Sequence, residues 1–441
     1  MPITRRQSLG LMGSALALPY LLLADGARAA PISVLKHIRL GKTQPGGKSD
    51  AAIAALPGNQ GGFLACWINY RTYPDFRAFC QYFNNSGNPL SDPIRMGGAA
   101  GQTDGTPAGS ARPVAFPNGT ALIIFTAPRD GSPGEEGDQV WVQRMSAGRE
   151  KVGVPIRINT LHIGGCAIVH ATRLTNGNVL VAWQHAEGTP DSIDVRCRVI
   201  DNKGVGISPE RRATKTAGAQ QIPKDLAALP NGKSVLSYAH LDLVDKIWRL
   251  ELQRLTAAGV RIGDPILIKK TSSDKPFGAA AVASFVDAGR HVAPDSNARS
   301  DHYDFVDSYY KEKAGDPNDV YIFLEVRDKD GKIIFPHRVL TVHGDPVSNS
   351  VPGLLPVGTQ ESLLAWIAQV DERSILSAAF VDNGTGDLPV SISPLFSSPN
   401  RLDFGAAISL PNHRAAISFN ESPSDFEDFE ARVDLLSSSR L

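Results

Sequence analysis

Short apolar runs recur along the chain, each followed by a Pro/Asn/Gly turn and a second apolar run ending in an aromatic residue. They read IAALPGNQGGFLACWINY, PVAFPNGTALIIFTAP, VHATRLTNGNVLVAWQH, LAALPNGKSVLSYAH, LLPVGTQESLLAWIAQ and AISLPNHRAAISFNE. Brief apolar stretches punctuated this often by turn residues predict β-hairpins, and they leave no room for long helices. The closing aromatics are Trp67, Phe125, Trp183, Tyr238, Trp366 and Phe419, at intervals of 58, 58, 55, 128 and 53 residues. The double interval hides one member. VASFVDAGRHVAPDS matches LAALPNGKSVLSYAH turn for turn, with Asp295 where the aromatic belongs.

A third strand follows each hairpin and turns at Gly87, Gly148, Gly204, Gly259, Gly331 or Gly384 into a fourth, as in VPIRINT and DPILIKKT. Repeated four-stranded antiparallel units predict an all-β, seven-bladed β-propeller. The expected blades span about 45–97, 111–160, 166–215, 220–271, 275–343, 348–396 and 403–436. The last unit stops after its third strand, EARVDLL, and VLKHIRLGKT, overlapping a strand expected over 32–42, reads as an orphan fourth strand. Pairing the two closes the ring and leaves no open sheet edge.

The units resemble repeats of secreted bacterial proteins of the RTX and calcium-binding type, on segments such as LTNGNVLVAWQ and the Asp-x-x-Gly turn. The resemblance covers the pattern of residues 45–435. It implies a propeller outside the cell and assigns no activity.

The first residues, MPITRRQSLGLMGSALALPYLLLADGARAA, have a basic start, an apolar middle and small residues at Ala27-Arg28-Ala29. Residues 1–29 are therefore expected to be an export signal, and Arg5-Arg6 with Leu9 gives it a twin-arginine character. Residues 30–441 would form the single propeller, periplasmic or secreted, with no transmembrane segment and as a monomer. The 45 basic and 45 acidic residues cancel. This balance argues against nucleic acid, which needs a basic footprint. Of four cysteines, Cys66 and Cys80 flank the TYPDF turn symmetrically, so a hairpin places them opposite one another as a candidate disulfide.

Propeller geometry puts the loops after second strands on one face with those after fourth strands, the usual ligand face by analogy. His185 and His240 each follow their blade's aromatic by two residues, and both are expected near the seam around the third and fourth blades. Neutral imidazole suits a general base or acid; blade packing is the plainer alternative. The fifth unit is longer than the rest, and its extra stretch 295–318 carries Asp295, Asp301, Asp304, His302, Tyr303, Tyr309 and Tyr310. Tyrosine faces stack on pyranose rings and carboxylates accept sugar hydroxyls, while the aspartates are alternatively calcium ligands. Arg71, Tyr73, Arg129 and Arg373 complete the candidate rim, arginine offering a planar fork to a carboxylate. No GxSxG elbow, P-loop, dinucleotide fingerprint or HExxH motif is present.

Two function classes follow. One is an exported propeller that binds or processes an extracellular glycan, with acidic-polysaccharide β-elimination as its candidate chemistry. His185 or His240 would then be base, a rim tyrosine such as Tyr303 acid, and Arg71 the neutraliser of the carboxylate. The other is a non-catalytic module that docks an envelope protein.

Overall fold

The computed structural model describes residues 32–44, 46–57, 61–72, 75–97, 110–128, 138–161, 164–186, 193–215, 220–229, 231–242, 244–271, 281–284, 305–313, 316–328, 330, 332–343, 345–346, 353–357, 361–370, 372–382, 392–422, 429–438 and 441. For most residues between 281 and 343 the description is of the backbone alone. The described residues form strands and turns, with no helix among them.

The first strand of the chain is β1 (Ser33–Arg39). A sheet follows, ordered β2 (Gly47–Ala55), β3 (Phe63–Thr72), β4 (Asp75–Phe83), β5 (Ile94–Arg95). The next is β6 (Ala111–Ala115), β7 (Ala121–Pro128), β8 (Asp138–Met145), β9 (Lys151–Arg157). A third group comprises β10 (Cys166–Arg173), β11 (Val179–Ala186), β12 (Ile193–Ile200) and β13 (Arg211–Arg212). A fourth comprises β14 (Gln220–Ala228), β15 (Ser234–Leu241), β16 (Trp248–Leu255) and β17 (Arg261–Thr271); one parallel bridge, Ile193 to Gln220, joins it to the third. Then come β18 (Ala281–Ser284), β19 (Phe305–Lys313), β20 (Asp316–Arg327) and β21 (Ile333–His343). In the next sheet β22 (Asp345–Pro346) and β23 (Gly353–Pro356) both pair with β24 (Glu361–Val370), which continues to β25 (Arg373–Asp382) and β26 (Ser393–Ser398). The last sheet runs β27 (Arg401–Leu410), β28 (Arg414–Ser422), β29 (Glu430–Ser437) and then β1, antiparallel from Ser33–Ser437 to Arg39–Arg432.

Among the described residues, the first three groups bury both faces against their neighbours, so their central strands carry long apolar runs. Leu64, Cys66, Ile68 and Tyr82 of the first group pack on Ala121, Ile123 and Phe125 of the second. Val140 and Val142 of the second meet Val181 and Trp183 of the third. Leu180, Ala182 and Cys197, from the third group's other face, meet Leu236 and Tyr238 of the fourth. Trp67, Trp183, Trp366, Tyr238, Phe125 and Phe419, the repeating aromatics, are all buried. Each such side chain contributes about 2–3 kcal/mol of apolar burial.

Opposite these aromatics the first strands bulge. The register slips between Ser49 and Ala52, Ala167 and Val169, Pro223 and Asp225, and Phe404 and Ala406. Two bulge residues, Asp50 (φ 53°) and Ile168 (φ 41°), are left-handed, and for β-branched Ile168 this is a strained conformation. First strands also touch in succession: β2 with β6, β6 with β10, β10 with β14, β14 with β18, β18 with β23, β23 with β27, and β27 with β2.

The fifth group departs from the expected reading. Its second strand is β19, which pairs Phe305–Ser308 with Ser284–Ala281, so the extra residues belong between first and second strands and not after the second. The aspartates at 301, 304 and 307 suggest a polar loop, but FVDSYYKEK is rich in aromatic and β-branched residues and pairs along DPNDVYIFLEVR of β20. Tyr309 and Tyr310 thus lie in an internal strand, opposite Phe323 and Ile322, and not in a rim loop. Segment 285–304 joins β18 to β19 and lies outside the described residues.

Candidate functional site

Equivalent positions on successive sheets face successive seams, and this separates the two histidines. His185 pairs in register with Cys166 and Asp194 and shares a face with Trp183, towards the second group. His240 pairs with Gln221 and Arg249 and shares a face with Tyr238, towards the third. The whole third sheet therefore stands between them, and they do not form a catalytic pair in this structure.

Both sites are also sealed. His185 is 1% exposed, with Nδ1 3.6 Å from Cys166 Sγ. Burial pushes the Cys166 thiol up to about 12, so the contact pairs a thiol, not a thiolate, with imidazole. Asp194 is fully buried and takes Arg212 Nη2 at 2.6 Å. In the next seam Tyr238 donates to Glu251 Oε2 at 2.5 Å, and His240 Nδ1 lies 3.8 Å from the same oxygen. Burial opposes ionisation of Glu251, but the His240 contact, the tyrosine bond and the Arg249 charge hold its carboxyl below the usual range. Arg249 in turn reaches Asp242 and Asp245 in the turn that precedes its strand, at 3.1 and 2.5 Å.

Arg373 is exposed at the start of β25 and donates from Nε to Ser397 Oγ at 2.9 Å, within its own sheet. Arg71 lies in β3 as backbone, and its side chain is outside the described residues. Tyr73, Arg129, Asp295, Asp301, His302, Tyr303 and Asp304 also lie outside them. The calcium assignment falls there; among the described residues no group of three His, Cys, Asp or Glu side chains is placed to hold a metal. Cys66 and Cys80 are direct cross-strand partners, buried as free thiols that contact one another.

Polar side chains do converge where the loop-centred reading did not look, on the first strands. Asp50 of β2, Arg112 of β6, His170 of β10 and Lys224 of β14 occupy one layer at the level of the repeating aromatics. Arg112 Nη1 meets Asp50 Oδ2 at 2.7 Å, and the same oxygen accepts the Ala111 backbone N–H at 2.9 Å. The Asp50 bulge aims that carboxylate across to the next strand. His170 lies within electrostatic reach of both Arg112 and Lys224 and is hydrogen-bonded to the backbone of Pro223. Burial, with those two cations, lowers His170 to about 3, so the ring is neutral near pH 7. Burial also lowers Lys224 from its usual value. Arg112 and Asp50 side chains remain 23% and 24% exposed, which leaves the layer open to solvent.

The layer presents two basic groups, one carboxylate already engaged by arginine, and a neutral imidazole. Such an array is chemically suited to an anion that also carries hydroxyl groups. The repeat held only part of the signal for it. Arg112 and His170 each precede their aromatic by thirteen residues, whereas Lys224 lies fourteen before Tyr238, in the bulge beside Asp225.

No protein-family model matches the chain, and no curated protein matches it. Solved structures do. A structure described as a polysaccharide lyase of a new family, PL25 ulvan lyase, is 10% identical with a TM-score of 0.55, covering 89% of this chain and 95% of its own. An ulvan lyase bound to -[GlcA(1-4)Rha3S]- is 11% identical with a TM-score of 0.52, over 89% and 95%. A GH93 α-L-arabinofuranosidase of Fusarium graminearum, in complex with arabinobiose, reaches 11% and 0.46 over 76% and 93%. At such identities the lyase likeness defines the fold, a β-propeller.

Proposed function

We propose that this is an exported, seven-bladed propeller whose central channel binds, and acts on, an acidic glycan. The ring reading is supported by the succession of first-strand contacts returning from β27 to β2, and by the pairing of β1 with β29. Export rests on the signal-like residues 1–29. One observation carries the ligand class: Arg112, His170 and Lys224 converge from three adjacent first strands into one partly open layer. A uronate carboxylate between Arg112 and Lys224 meets two cations with little competing solvent, while its hydroxyls meet the remaining polar groups. The ulvan lyase neighbour, whose bound glycan contains GlcA, is consistent with that class.

The same charges favour β-elimination. A base removes the proton beside the carboxylate, the electrons form the C4–C5 double bond, and the glycosidic oxygen leaves with a proton. The carboxylate gains negative charge on the way, where fixed cations help most. The test is binding of a polyuronate and of a neutral glucan, with absorbance of the unsaturated product followed in parallel. Lys224→Gln is expected to weaken polyuronate binding about tenfold, as for loss of one charge-assisted contact. Equal binding of both polymers by the wild type would refute the reading.

A further inference from the structure

The channel layer does more than collect positive charge, because the state of one of its nitrogens follows from chain chemistry. Pro223 has no backbone N–H, so its hydrogen bond with His170 uses the carbonyl, and the imidazole must be the donor. In a neutral ring one nitrogen carries hydrogen and the other a lone pair. With the N–H committed to Pro223, the second nitrogen can only accept. A lone pair within electrostatic reach of Arg112 and Lys224 treats anions unequally. It repels a bare anionic oxygen and welcomes an O–H placed beside the anionic group.

We propose that His170 makes the channel selective for hydroxy-carboxylates, the chemistry of a uronic acid with a free ring hydroxyl, over anions that carry no hydroxyl donor. The inference rests on the acidic-glycan reading and adds a donor requirement to it. In it His170 is a specificity-determining residue and not a charge carrier. Arg112 and Lys224 hold the carboxylate, and the neighbouring hydroxyl donates to the imidazole. The Ile168 bulge, two residues earlier on the same strand, sets the register that brings His170 opposite Ala182. The titratable and charged groups facing the ring are Arg112, from β6, and Lys224, from β14; both oppose its protonation. The acceptor therefore persists under mildly acidic conditions.

Competition measurements on the full protein test this with three probes: a uronate oligosaccharide, the same oligosaccharide with its hydroxyls methylated, and inorganic sulfate. The free uronate is expected to bind at least about tenfold more tightly than its methylated form, because methylation leaves the acceptor unpaired. That ratio should hold between pH 8 and pH 5. His170→Phe should collapse the ratio towards one without lowering sulfate affinity. Equal affinity of free and methylated uronate in the wild type, which needs no variant, overturns the inference while leaving acidic-glycan binding intact. A parallel loss of uronate and sulfate affinity in His170→Phe overturns it too, since it shows a purely structural role. Failure of the wild type to bind any of the three probes instead removes the underlying reading.

Discussion

Asp434 shows how much one buried carboxyl governs at the junction of the first and last strands. It is fully buried in β29 and pairs in register with His37 of β1, whose Nδ1 lies 2.7 Å from Oδ1. Burial raises its pKa from 3.8 to about 6, against the lowering influence of His37 and Arg432. The folded protein therefore holds this proton at pH values where the unfolded chain has released it. Stability from the group is present at low pH and is lost as pH rises through about 6. Between pH 7 and pH 5 the wild type should gain about 1 kcal/mol relative to Asp434→Asn, as follows from linkage with these two values. Denaturant melts of both proteins at the two pH values check it; parallel shifts would show the carboxyl already ionised below pH 5. His170 is the opposite case, a ring kept neutral by burial and neighbouring cations, and its presence on a first strand was visible in the repeat only once the columns were aligned.

At the scale of strands and turns, the pattern of apolar runs and glycines carried most of the architecture. The turns between third and fourth strands recur as anticipated at Gly87, Gly204 and Gly259, each with positive φ. Side-chain oxygens of Asn84, Asp201 and Thr256 cap them by accepting backbone N–H groups. The reading failed in the fifth group because VDAGR imitates the hairpin turn of its neighbours, whereas long-range pairing of β19 with β20 fixes the register. Local turn chemistry is weak beside a nine-residue strand with a full-length partner. The polar layer on the first strands was hidden for a different reason: bulges shift side chains by a residue, and pattern alone does not reveal a bulge. Two glycines separate backbone strain from packing. Gly177 and Gly204 share φ of 84°, but a Cβ at Gly177 meets nothing within 4 Å, whereas at Gly204 it would lie 2.9 Å from Val142 Cγ1 of the preceding sheet. Gly177→Ala should cost about 1 kcal/mol and Gly204→Ala at least about 1 kcal/mol more. Thermal melts of the two variants would decide it, and equal losses would mean the neighbouring sheet yields freely.

For the whole molecule, the sheets depend on one another because the larger apolar clusters among the described residues are shared between neighbouring groups. Apolar clusters span neighbouring groups, including Ile38 and Leu40 beside Trp67 with Val433 and Leu435. Gly405 marks how tightly β27 approaches β2, since a Cβ there would sit 2.2 Å from the Ala51 carbonyl oxygen. Deleting residues 32–42 removes β1 together with Ile38 and Leu40, and is expected to lower the melting temperature by several degrees and to promote self-association through the bared edge of β29. Calorimetry with light scattering tests this; a monomer of unchanged stability would show that the pairing is dispensable.

That pairing also imposes an order of events on synthesis. Ser33 emerges from the ribosome some four hundred residues before its partner Ser437. Until β29 is made, β1 has no strand to join, and the nascent chain carries an unsatisfied β-forming segment over that whole interval. Two chains made side by side can each lend this segment to the other, so crowding during expression should favour exchange between chains over pairing within one.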